Sequence, residues 1–167
     1  AGVADVGRWG GPVRGVDEGW GDGGGAAVAG GRGGAVGGGC AGSVHSAGGG
    51  RSASGAPGVA SDAVVGCVTR SVPAQAGIFF LANNAVNSGM GNSFGDGLRC
   101  AGGGVKRLQV RFAGGAGNAS SSVNISQAAG LVAGDLRRLQ WWYRNPVGSP
   151  CGFGFNLSNG LEVTWTL

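Results

Sequence analysis

The chain has 167 residues, enough for one domain or one domain with an appendage. Glycine contributes 41 of them and charged residues only 12%, with Glu and Lys nearly absent, which argues against a helical protein laced with ion pairs. The formal charge is +4, and no apolar run approaches the ~20 residues that a membrane-crossing helix needs.

In residues 1–58 single Val, Arg, Trp and Asp residues punctuate glycine and alanine, and neither structural period can be counted. Ordering so much glycine costs backbone entropy with little apolar surface to offset it. This segment is therefore expected to be a flexible arm or linker. Its GGRGG at Gly30–Gly34 resembles an RGG element of RNA-binding tails, but only one copy is present.

Residues 59–167 read as a β-rich module. Ala63–Thr69 (AVVGCVT) is a short β-prone run, and Gly77–Ala82 (GIFFLA) is apolar on both faces, as in a central strand. Asn83–Gly97 is rich in Asn, Gly and Ser and is predicted to be a long loop. Val105–Phe112 alternates, which predicts Leu108, Val110 and Phe112 inward and Arg107, Gln109 and Arg111 outward. Ala119–Ile125 and the short apolar Ala128–Val132 follow, and Gly134-Asp135 turns the chain. Leu139, Trp141 and Tyr143 then alternate with Gln140, Trp142 and Arg144. Leu161, Val163 and Trp165 alternate with Glu162, Thr164 and Thr166, and Asn159-Gly160 ahead of them is a hairpin-type dipeptide. About six to eight short strands and no long helix predict an all-β fold, an antiparallel β-sandwich behind a glycine-rich arm.

The basic excess sits in the second half, on Arg70, Arg99, Lys106, Arg107, Arg111, Arg137, Arg138 and Arg144. It suits anionic partners such as acidic polysaccharide or nucleic acid, although ordinary solvated strand faces account for it as well. The four cysteines, Cys40, Cys67, Cys100 and Cys151, lack CxxC spacing, and His45 is the only histidine. That count argues against zinc and for disulfides in an oxidising compartment. A Cys100–Cys151 bridge would tie two loops at one end of the sandwich, close about fifty residues and contribute about 2–4 kcal/mol. Cys40 and Cys67 are then paired with each other or free.

Asp96, in Phe94-Gly95-Asp96-Gly97, offers one carboxylate to a Ca²⁺ ion, but only Asn92 and Ser93 stand nearby as further oxygen ligands. A turn in which Asp96 bonds backbone N–H groups explains the motif better. Trp141, Trp142 and Arg144 form the candidate ligand site. Adjacent strand residues face opposite ways, so one Trp must leave the core, where it can stack on a sugar ring.

GIFFLANN, FGDGLRCAGGGVKRL, QWWYRNP and CGFGFNLSNGLEVTW, in that order, resemble the C-terminal module of large secreted proteins from planctomycetes, myxobacteria and related bacteria. The resemblance covers Ser52–Leu167. It implies a β-rich, secreted or cell-surface module of uncharacterised function. It also supports pairing Cys100 with Cys151, and it carries no catalytic residues.

His45 lies among small residues with nothing to orient it for a triad, and Asp62, Asp96, Asp135 and Glu162 are far apart in sequence. No catalytic, metal or cofactor residues are assigned, and no enzyme is expected. The expected role is a non-catalytic extracellular structural or interaction module, for assembly or anchoring with surface proteins or with itself. The alternative is a carbohydrate- or matrix-binding module using an exposed Trp and basic strand faces. Nucleic acid is disfavoured as a partner.

Overall fold

A computed structural model describes residues 48–167, which are mostly β with antiparallel pairing and one short helix. The strands are β1 (Gly50–Ser54), β2 (Val65–Thr69), β3 (Ala76–Ala82), β4 (Asn84–Ala85), β5 (Asn92–Phe94) and β6 (Gly97–Arg99). After these come β7 (Ala101–Gly102), β8 (Lys106–Phe112), β9 (Ala119–Ser120), helix α1 (Ile125–Ala129), β10 (Leu136–Arg144), β11 (Phe155–Leu157) and β12 (Leu161–Thr164). Most of the expected arm, with Cys40 and His45, lies outside the described residues. Gly50–Ser54, on the arm side of the expected boundary at residue 58, is nevertheless a strand paired with β2.

A three-stranded sheet has the order β1-β2-β9, and a five-stranded sheet runs β11-β10-β3-β8 with β12 also on β10. The apolar β3 is central, as its two-sided hydrophobicity predicts. Side chains from both sheets meet in two clusters. Ala53 of β1 joins Leu81, Leu139, Leu161, Val163, Trp165 and the helix residue Ile125. Val68 of β2 joins Phe79, Trp141 and Tyr143. The inner face of the large sheet is thus the one predicted from the alternation of β10 and β12. It packs so tightly that a β-carbon on Gly77 would collide with the Trp141 ring.

Four local expectations are corrected. The register of β8 on β3 shifts between Phe79 and Phe80, so that Gln109 pairs with Phe79 and Arg107 with Phe80. One extra residue reverses the facing of everything beyond it. Leu108 still packs inward, but Val110 and Phe112 are 58% and 71% exposed. Asn159-Gly160 makes no hairpin: β11 and β12 lie in line along one edge of β10, on residues 142–144 and 136–139. Asn159 is buried and clamps β1, accepting from Arg51 N–H at 2.6 Å and donating to Arg51 C=O at 3.2 Å. The apolar residues after Asn124 form α1 rather than a strand, closed by left-handed Gly130 and capped from outside by Asp62. Lastly, the expected long loop at residues 83–97 carries two short strand pairs, β4–β7 and β5–β6.

The Cys100–Cys151 bridge is not formed. Cys100 and Cys67 are free thiols, and Cys151, exposed ahead of β11, is bonded to neither. Cys100 is buried with its sulfur against Gly91 and directed at the Leu98 carbonyl.

Candidate functional site

The outward residues of β10 are Arg138, Gln140, Trp142 and Arg144, and they meet quite different surroundings. Gln140 has no exposed surface, because the segment Leu98–Ala101 folds over it. Its Oε1 accepts from the N–H groups of Cys100 at 3.0 Å and Ala101 at 3.1 Å. Its Nε2 donates to the carbonyls of Leu98 at 2.7 Å and Ser158 at 2.6 Å. Every hydrogen-bonding capacity of the amide is used, so a glutamine can stand in a dry position. The outer face at this level is a third apolar cluster of Phe80, Ala82, Ala101 and Leu157.

Two residues on, the cover ends and a cleft of about 460 Å³ opens. Its floor is Ile78 and Phe80 of β3, Trp142 of β10, and Phe155 and Leu157 of β11. Trp142 is half-buried and its ring centroid lies 5.6 Å from that of Phe155. Phe94, Val105, Arg99 and Arg107 complete the walls. Arg99 is oriented by its Nε–H, which donates to the Ala101 carbonyl at 3.3 Å, and by the Phe94 ring, 5.8 Å from its guanidinium carbon. An apolar floor with a few placed polar groups is the usual make-up of a small-ligand site.

Of the three residues singled out from the sequence, Trp142 lines the cleft. Trp141 does not: it is fully buried, 4.5 Å from the Phe79 ring, and its indole N–H donates to Ser71 Oγ at 3.2 Å. Arg144 is exposed, in register with Phe155, and is not part of the wall. Arg99 and Arg107 were missed as site residues. The alternation put Arg107 outward, but nothing local to either arginine indicates that the hairpin and β8 meet around Trp142.

Asp96 is a fastening point. Fully buried, its carboxylate accepts from Ser149 Oγ at 2.5 Å, Phe153 N–H at 3.3 Å and Asn145 Nδ2 at 3.4 Å. Its own N–H donates to the Phe155 carbonyl at 3.0 Å. The β5–β6 turn is thereby tied to the loop after β10, with Phe94 and Phe155 5.3 Å apart at the cleft wall. A β-carbon on Gly95, whose φ is +64°, would strike the Phe155 ring, so the turn approaches only as glycine. Both carboxylate oxygens thus accept from groups of the loop after β10. Among the described residues no group of three or more His, Cys, Asp or Glu is placed to hold a metal.

No protein-family model, curated protein or solved structure matches this chain.

Proposed function

We propose that the chain is a non-catalytic extracellular β-sandwich module that binds carbohydrate through the cleft over Trp142. The observation that carries the reading is an indole half-open at the floor of an apolar cleft, on the face turned away from the core. Pyranose rings present apolar C–H faces, and an aromatic ring fixed by its neighbours stacks on them at little entropic cost. The resemblance to modules of secreted bacterial proteins supports the extracellular setting. In the test, the protein is titrated with a panel of soluble oligosaccharides by calorimetry. At least one should bind, and Trp142→Ala, shown by circular dichroism to remain folded at the titration temperature, should weaken it at least tenfold. Absence of binding across the panel, or binding indifferent to Trp142, would refute the reading.

Assembly through a strand edge is the second reading, favoured by the exposure of Val110 and Phe112 on the edge strand β8. Concentration-dependent association lost in Phe112→Ser, with no glycan response, would replace the first reading by this one.

A further inference from the structure

We propose that the ligand of the cleft is an acidic glycan, a uronate chain whose carboxylates meet Arg99 and Arg107 while a ring lies on Trp142. This rests on the carbohydrate-binding reading and narrows it to a substrate class.

Charge carries the argument. Among the described residues, Arg99 and Arg107 are the only charged ones lining the cleft. The carboxylates of the described residues are all engaged elsewhere. Asp62 accepts from the N–H groups of Ser126 and Gln127 at 2.8 and 3.0 Å. Asp96 is buried among Ser149, Asn145 and Phe153. Asp135 pairs with Arg137 at 3.1 Å, and Glu162 pairs with Arg138 at 2.6 Å. The arginines of β10 nearest these acids are thus neutralised, whereas the two at the cleft face an apolar floor with no carboxylate of the described chain beside them. An arginine on an apolar wall is a recognition element for carboxylate, which its planar fork can grip with two parallel bonds.

A uronate residue combines what the two halves of the site ask for, an apolar ring face and a carboxylate at its rim. Neutral glycans offer the two guanidinium groups hydroxyl acceptors but no opposite charge. Polynucleotides draw their affinity from neutralising a long track of phosphates, and two lining arginines make a short track.

The experiment compares oligogalacturonate with its methyl ester, which keeps the chain and removes the charge, using the full chain and calorimetry at low and high salt. The free acid is expected to bind at least tenfold more tightly than the ester, with an advantage that shrinks as salt is added. Arg99→Gln and Arg107→Gln should each cost the acid about tenfold and leave the ester unchanged. Arg107 is exposed, so its variant stays informative even if Arg99→Gln disturbs the hairpin. Trp142→Ala should weaken both ligands. Equal affinity for acid and ester, or no effect of Arg107→Gln, overturns the acidic-glycan assignment and leaves carbohydrate binding standing. Failure of every glycan to bind overturns both, and preference for single-stranded oligonucleotide or polyglutamate overturns the ligand class.

Discussion

Arg51 lies in β1 at 1% exposure, its guanidinium carbon 4.9 Å from the centre of the Phe79 ring and none of its three side-chain nitrogens hydrogen-bonded. Burial pushes its pKa down to about 9, against an opposing contribution from the neighbouring Cys67. At neutral pH the group is still charged, so among the described residues the buried cation is held by the Phe79 ring without a hydrogen-bond acceptor. Arg51→Met keeps the length and removes the charge. Chemical unfolding should find that variant more stable by about 1–3 kcal/mol; a loss of stability would mean the ring contact outweighs the desolvation. Nothing in GRSAS announces this side chain, because its burial comes from Asn159 fastening β1 from the far end of the chain. Asp62 is the converse case. Burial alone would raise its pKa, but the bonds from Gln127 and Ser126 outweigh that and leave it lowered. With the folded value below the unfolded one, its contribution is complete above the ordinary carboxylate range. It fades as pH falls through the folded value. Asp62→Asn should cost about 0.5–1 kcal/mol at neutral pH and flatten the acid limb of a stability–pH profile measured in urea. For Trp141 and Trp142, by contrast, parity along the strand required that one indole leave the core, and the closed fold turns Trp142 out.

At the scale of elements, β10 is the best-read part of the chain and β8 the instructive failure. Six residues in alternation, 139–144, on a strand held between two partner edges leave no freedom of phase. The pattern of β8 looks equally regular, yet a single register shift sends Val110 and Phe112 outward. A bulge has no signature in hydrophobic periodicity, since it is fixed by what the neighbouring strand needs. The short pairs β4–β7 and β5–β6 were also invisible, since strands of two or three residues with Asn, Gly and Ser have loop composition. Gln140 binds those pieces to the large sheet, and the sequence places it only as an outward, wetter residue. Gln140→Leu fits the cavity but strands two N–H and two C=O groups in a dry site. It should lower stability by more than 3 kcal/mol in chemical unfolding, with Cys100 becoming reactive to thiol reagents before the global transition. A loss under 1 kcal/mol would show that solvent reaches this cover.

For the whole molecule, a mostly-β antiparallel fold was legible from the succession of short strands, and the inner residues assigned on β10 and β12 are the ones found in the core clusters. The cleft was not legible. Its walls come from β3, β8, β10, β11 and the β5–β6 hairpin, segments spread from Ile78 to Leu157 that only the closed fold assembles. Nor was the covalent chemistry: Cys100 and Cys151 sit in loops that the sequence places at one end of the fold, but a buried thiol turned toward Gly91 meets no partner. Because one strand floors the cleft with Trp142 and fills the core with Trp141, its two adjacent indoles live in opposite surroundings, one wet and one dry. The chain therefore carries a matched pair of intrinsic fluorophores a single peptide bond apart. Since Trp9, Trp20 and Trp165 emit as well, the difference between the native protein and a Trp142→Phe variant isolates the indole at the cleft, and its change on adding ligand would report occupancy without an attached dye.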